Sequence, residues 1–161
     1  MRIFIQRVRV ASLDVDGRPH AAIGPGFVAL VGFGAEEVRP ENRKQAEQIW
    51  GHTLDKALGL RIFPDESGKM NNDLDSFGGE VLLVSQFTLY ADCRRGKRPS
   101  FHLSAPAEAA VAAYEHLVRE LRQRLGERLK TGVFGADMDI HLTNWGPVSI
   151  LLDSADFQKQ P

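Results

Sequence analysis

The sequence predicts a layered α/β domain, and three observations predict it. Apolar runs of strand character recur along the chain, at 3–13, 27–33, 81–84, 137–143 and 148–152. Two stretches switch to the helical period, one over 40–58 and one after Ser104 that ends near Gly126. Turn signals, Asp16-Gly17 and Gly24-Pro25-Gly26 among them, separate the strand-like runs. About two long helices beside roughly seven strands, many of them in hairpins, make a layered α/β arrangement. The 161 residues read as one domain over 1–154, with 155–161 a short, poorly ordered tail.

The first strand spans 3–13, where Val8 and Val10 alternate with Arg7 and Arg9. Asp16-Gly17 turns it into a second strand that reaches Ile23, and 27–33 is a buried third. In the first helix Ala46, Ile49, Trp50, Leu54, Ala57 and Leu58 form one apolar stripe, with Trp50 a core anchor. Residues 60–63 read as a short strand, 64–68 as a turn and 69–77 as an irregular loop. Gly78-Gly79 opens the central strand, 81–84, which carries no charge. Ser104 is placed to cap the second helix, with Pro106 in its first turn. Its apolar stripe is Val111, Tyr114, Leu117, Val118, Leu121 and Leu125, and Arg119, Arg122, Arg124 and Arg128 face outward as solubilising charges. Residues 131–134 form another short strand. The alternating runs 137–143 and 148–152 read as a strand and its return, with Asn144-Trp145-Gly146-Pro147 the turn between them.

Composition narrows the function. No apolar run approaches the roughly 20 residues that cross a bilayer. The chain enters its first strand at once, without the pattern of a signal peptide. A single cysteine, Cys93, excludes an intrachain disulfide and suits a reducing cytoplasm. Twenty basic against 21 acidic residues give a net charge of -1, which argues against broad charge-driven nucleic-acid binding but leaves room for grasping one end of an RNA. The five histidines, His20, His52, His102, His116 and His141, show no ligand spacing, so neither a metal nor another cofactor is expected. Gly32-Phe33-Gly34 lacks the spacing of a phosphate loop, and no Gly-x-Ser-x-Gly elbow is present.

Chemistry concentrates where the central strand ends. Ser85-Gln86-Phe87-Thr88-Leu89-Tyr90 brings two hydroxyls, an amide and a phenol into six residues. On an extended chain Ser85, Phe87 and Leu89 would share one face and Gln86, Thr88 and Tyr90 the other. A basic loop follows, in which Arg94, Arg95, Lys97 and Arg98 are either a solvated face or phosphate contacts.

Ser85-Gln86-Phe87-Thr88-Leu89 resembles one signature motif of the D-aminoacyl-tRNA deacylases. Asn144-Trp145-Gly146-Pro147-Val148-Ser149 resembles the second, with Ser149 where the family usually has Thr. Gln6-Arg7-Val8, Leu60-Arg61-Ile62-Phe63, Gly68-Lys69-Met70-Asn71 and Arg98-Pro99-Ser100-Phe101 are also similar and in the family's order, so the resemblance runs to about Ser154. It implies a β/β/α sandwich with a barrel-like, antiparallel-rich sheet, in a homodimer whose active sites lie at the subunit interface. It implies hydrolysis of the ester between a D-amino acid and the acceptor end of a tRNA, assisted by the terminal ribose 2′-hydroxyl. Ser85, Gln86, Phe87 and Thr88 would then be the catalytic set, with the Phe87 N–H and the Gln86 amide orienting the ester. Gly146 and Pro147, joined by a cis bond, would filter chirality in the partner's site. Arg7, Asn144, Val148 and Ser149 would support that motif. A filter that excludes L side chains by clash passes glycine as well.

Three alternatives stay open on the residues alone. A Ser- or Thr-nucleophile esterase would form an adduct at Ser85 or Thr88, although no base adjoins either in sequence. A non-catalytic RNA-binding module would rely on Arg94, Arg95, Lys97 and Arg98. A related family that edits L-aminoacyl-tRNA is nearer still, but Ser85 and Phe87 match the D-specific signature.

Overall fold

The structure, a computed structural model, describes residues 1–157. In chain order β1 (Arg2–Val15), β2 (Arg18–Ile23) and β3 (Gly26–Gly32) precede α1 (Pro40–Leu58). β4 (Phe63–Pro64) and β5 (Met70–Asn72) form a small separate ribbon, and the one-turn α2 (Leu74–Phe77) leads into β6 (Glu80–Ser85). α3 (Ala107–Leu125), β7 (Leu129–Thr131) and β8 (Met138–Asp153) follow.

β1 carries the main sheet because both its edges are paired. One edge meets β3 and then β2, and the other meets β8 from Arg2↔Asp153 to Val15↔Met138, all antiparallel. β6 adds to β3 and β7 to β6 in parallel, so the sheet order is β2-β1-β3-β6-β7. The curved, barrel-like sheet has two apolar faces, which is why β3 and residues 81–84 of β6 run without a charge. Phe27, Ala29, Val31, Val81 and Leu83 face the two long helices. Val28, Leu82 and Val84 face the inside of the curve with Val8, Leu13 and Ile23. The helix layer is held by Trp50, Leu54 and Ala57 of α1 and by Tyr114, Leu117 and Leu121 of α3. Tyr114 buries its ring and donates its hydroxyl to the Leu83 carbonyl at 2.9 Å. The fully buried Trp50 lies edge-on to Phe33, ring centroids 5.0 Å apart. No helix among the described residues is long and apolar enough to cross a membrane.

Several elements depart from the expectations above. The loop predicted over 69–77 contains β5 and α2. Asp73 caps α2 through the Ser76 N–H, and Gly78 ends it in the left-handed region. The two short strands are β4 and β7, displaced from 60–63 and 131–134. The N-cap of α3 is Pro106 rather than Ser104, whose hydroxyl bonds the Phe87 carbonyl instead, at 3.0 Å. Arg124 and Arg128 are not merely solvated: they pair with Asp55 and Asp75, and Arg128 also donates to the Gly79 carbonyl. Of the expected tail, 155–157 belong to a 3-10 turn, Ser154–Phe157, and 158–161 lie outside the described residues. The largest difference is that 138–153 form one strand and not a hairpin, because both halves pair with β1 in the same direction.

The β3–β6 contact is close at Gly26, where a Cβ would stand 2.6 Å from the Glu80 backbone nitrogen. Gly26→Ala is therefore expected to destabilise at least as much as Leu82→Ala, a core truncation worth roughly 2–5 kcal/mol. Urea unfolding of the two variants measures the order.

Candidate functional site

Strand β6 delivers the first motif to the end of the sheet. The Gln86 N–H makes the last ladder bond, to the Val31 carbonyl at 2.7 Å, and the chain then leaves the extended conformation. Phe87–Tyr90 close into a 3-10 turn through Leu89 N–H to the Gln86 carbonyl (3.3 Å) and Ala91 N–H to the Thr88 carbonyl (3.0 Å). The expected two-face alternation through Tyr90 is thereby lost. In its place the turn gathers Ser85, Gln86 and Phe87 on the wall of a cleft of about 300 Å³ lined also by Val31, Phe134 and Met138. The Gln86 amide donates to the Thr88 hydroxyl, and Thr88 itself is exposed. The Phe87 N–H opens the turn and so has no partner within it. Asp137 is the sole titratable side chain on the cleft wall.

The far end of the turn is braced through Tyr90 by Arg2, Glu37 and Asp153, which carry no signal in the sequence. Arg2 donates to the Leu89 carbonyl at 2.9 Å, pairs with Asp153 at 2.8 Å and lies 4.5 Å over the Tyr90 ring. The Tyr90 hydroxyl donates to Glu37 at 3.0 Å. Glu37 also accepts from the Gly34 N–H (2.8 Å), the Ser154 hydroxyl (2.5 Å) and the Met1 ammonium. Burial pushes the Glu37 carboxyl up, but the ammonium and these hydrogen bonds outweigh it and hold the group below its ordinary value. Burial, reinforced by Glu37, pushes the Tyr90 phenol far up, so it stays a donor. No periodicity or short motif joins residues 2, 37, 90 and 153; only the fold does.

The second motif is an interruption in the β1–β8 ladder. Gln6 faces Ser149 and Val8 faces Asn144, so the four residues from Trp145 to Val148 stand opposite Arg7 alone. Asn144 spans the bulge, donating to the Ser149 hydroxyl at 2.9 Å and accepting from the Val148 N–H at 2.9 Å. The Gly146-Pro147 peptide bond is cis, and both residues are exposed at the tip. Gly146 takes φ +128°, and a Cβ there would come within 2.7 Å of the Arg7 guanidinium, so only glycine fits. Arg7 is 6% exposed and donates to the Trp145 carbonyl at 2.8 Å and to the Ile62 carbonyl. The Trp145 ring packs against Phe77, with the Arg7 and Arg9 guanidiniums 4.6 and 4.4 Å from its centroid. Its indole is thus held by its own chain.

The two motifs do not meet within one chain. None of 144–149 lines the cleft that holds Ser85, Gln86 and Phe87. The basic loop after the first motif is closed by paired backbone bonds between Asp92 and Ser100 (2.7 and 3.0 Å). Arg94 forks onto the Asp92 carboxylate at 2.8 and 2.7 Å, and its hydrogen bonds hold that carboxyl far below the usual range. Arg95, Lys97 and Arg98 are exposed and make no ion pair among the described residues.

The cleft at the end of β6 and the exposed Gly146-Pro147 tip are thus two separate candidate parts of a site, each on irregular backbone. The profile of the D-Tyr-tRNA(Tyr) deacylase family matches residues 4–153. A D-aminoacyl-tRNA deacylase of Solidesulfovibrio magneticus is 54% identical over 156 residues, 97% of each chain. A solved structure of a c-Myc DNA unwinding element binding protein superposes with TM-score 0.85 at 38% identity, covering 95% of this chain and 98% of that one. A second, of a probable eukaryotic D-amino acid tRNA deacylase, shares the fold with TM-score 0.78 at 15% identity, over 94% and 97% of the two chains. The chain belongs to the D-aminoacyl-tRNA deacylase family.

The Glu37 brace makes a pH-dependent prediction. A carboxyl whose folded pKa lies below its ordinary value of 4.5 adds stability above that value and loses it as the pH falls through the folded pKa. Glu37→Gln is expected to cost roughly 2 kcal/mol at neutral pH. The gap to the parent protein should close below about pH 4.5, as read by urea unfolding across pH.

Proposed function

We propose that this chain hydrolyses the ester joining a D-amino acid, or glycine, to the terminal ribose of a tRNA. It would thereby remove mischarged D-amino acids during translation in the cytoplasm. The observation that carries this reading is the divided site. The cleft at the end of β6 holds the groups that would orient an ester, and the Gly146-Pro147 tip stands exposed away from it. A second copy of the chain would bring its tip to the cleft and complete the site. Val10 and Leu151, apolar side chains 52% and 56% exposed on the same two strands, suit such a contact.

In the completed site the terminal aminoacyl nucleoside lies in the cleft. The Phe87 N–H and the Gln86 side chain address the scissile ester, where donors aimed at developing charge contribute most. The Gly146 and Pro147 carbonyls of the partner accept the substrate ammonium, and their closeness to the α-carbon leaves no space for an L side chain. Discrimination then rests on a clash and not on recognition of the side chain, so many D-amino acids are substrates. Asn144, Val148 and Ser149 hold the bulge and Arg7 braces it from inside. Thr88 is a positioning group in this scheme. Its hydroxyl accepts from the Gln86 amide, and Asp137, the one titratable side chain on the cleft wall among the described residues, makes no hydrogen bond to it that would take its proton. The ribose 2′-hydroxyl is left to assist the attacking water, as an intramolecular group held close to the reacting carbonyl.

Deacylation of D-Tyr-tRNA and L-Tyr-tRNA, measured side by side, tests the reading. Rapid release from the D ester alone is expected, with glycyl-tRNA also cleaved; equal attack on both enantiomers would reject the filter. Thr88→Ala is expected to keep turnover within roughly 10-fold of the parent. Complete loss of turnover in a folded Thr88→Ala protein would make Thr88 the nucleophile.

A further inference from the structure

Two large aromatic side chains are left in solvent beside the cleft. Phe87 is 55% exposed and Phe101 40%, and their rings meet edge to face with centroids 5.0 Å apart. Leu103, 43% exposed, extends the patch. The segment is anchored: Ala35 N–H bonds the Leu103 carbonyl and Ala105 N–H the Phe33 carbonyl, each at 2.9 Å, and Ser104 ties to the Phe87 carbonyl. Both rings are thus held in place while exposed to solvent in the single chain.

Their location indicates a path. Phe87 belongs to the cleft wall, whereas Phe101 lies between Ser100 and His102, which line a second, polar groove of about 520 Å³ with Asp92, Arg94 and Arg95. The aromatic pair therefore joins the candidate catalytic cleft to a basic groove. Asp92, the one carboxylate lining that groove, is already neutralised by Arg94, so Arg95 supplies its net positive charge, and Lys97 and Arg98 stand exposed in the same loop. A ring pair next to unpaired cations is the combination that binds single-stranded nucleic acid, with bases stacked on the rings and phosphates met by the cations.

We propose that Phe87 and Phe101 form a stacking platform for the unpaired nucleotides of an RNA strand that leaves the cleft, with Arg95, Lys97 and Arg98 meeting their phosphates. The inference rests on the cleft's holding the terminal nucleoside of that strand, as proposed above. It deepens that reading by giving the enzyme a grip on the single-stranded end, independent of the amino acid carried. The three free cations are few, which agrees with a net charge of -1 for the whole chain and with a short contact.

The test uses direct binding and needs no ester cleavage. Fluorescence anisotropy with a labelled single-stranded RNA of about six nucleotides, and with a blunt duplex of the same sequence, compares the parent, Phe101→Ala, Phe101→Trp and Arg95→Ala proteins. Preference for the single strand is expected, with binding roughly 10-fold weaker in Phe101→Ala and restored in Phe101→Trp, which keeps a π face. Arg95→Ala should lower the slope of log affinity against log salt by about 0.7. Absence of binding, equal binding of the duplex, or unchanged binding by Phe101→Ala would overturn the proposal. So would a change in sedimentation mass for Phe101→Ala with RNA binding intact, which would make the patch a contact between copies of the chain. Failure of the deacylase reading would look different: single-strand binding with these sensitivities, but no release from any D-aminoacyl ester.

Discussion

The β1–β8 ladder must pass four residues of one strand opposite a single residue of the other, and the structure depends on Arg7 filling that gap. A bulge of this size detaches backbone carbonyls from the ladder, and unpaired carbonyls in a buried setting cost free energy. Arg7 answers with a planar set of donors, one to Trp145 and one to Ile62, and thereby joins the bulge to the segment before β4. The guanidinium itself is buried without a carboxylate. Burial lowers its proton affinity, aided by neighbouring Arg9, yet an arginine remains charged. Carbonyl dipoles and the face of Trp145 offset the lost hydration in place of a counter-ion. Lysine, with a point charge and no fork, cannot serve these acceptors in the same geometry.

The first motif is organised on the same plan. Its exposed groups sit on a 3-10 turn too short to hold itself, and the stabilising contacts reach it from behind. Arg2, Glu37, Tyr90 and Asp153 come from four separate parts of the chain and meet at the corner where β1, β3 and β8 end. Both halves of the candidate site are therefore pieces of irregular backbone, each clamped by a buried or half-buried charged group. The candidate functional groups face outward and the bracing ionic groups face inward. This reverses the usual layout of a catalytic triad, in which the charged side chains are themselves the reagents.

Much of the fold was legible because burial leaves a periodic trace. α1 is legible at both ends, since Pro40 and Gly59 bracket an unbroken stripe. β3 and β6 were legible from continuous apolar runs. Reading β8 as a hairpin failed because Gly-Pro between two alternating segments looks the same whether the chain reverses or only bulges. Register against β1 decides that, and register is a tertiary property. The 3-10 turn at 87–90 is not legible for a related reason: polar residues after an apolar strand carry no period. The residues of both motifs were identified by their resemblance to a family, and periodicity alone would have left them as a strand end and a turn. Arg2 and Glu37 gave no local signal at all, because a brace is defined by what it touches across the fold.

On the proposed function, a site assembled largely from backbone groups would account for the silence of the composition. Chirality is a property of the α-carbon, and the groups nearest the α-carbon of a bound amino acid are best matched by other backbone atoms, whose positions the fold fixes more tightly than a rotamer. Side-chain reagents would bring specificity for particular substrate side chains, which a filter for handedness must lack. The same logic assigns affinity to the other end of the substrate. If the amino acid contributes little beyond its handedness, binding free energy has to come from the nucleic acid, and the exposed ring pair and free cations beside the cleft are placed to supply it. On the two proposals, chirality at the bulge, chemistry at the turn and grip at the aromatic patch are three separate tasks on three segments. The last of them draws most on exposed side chains of a kind that composition records.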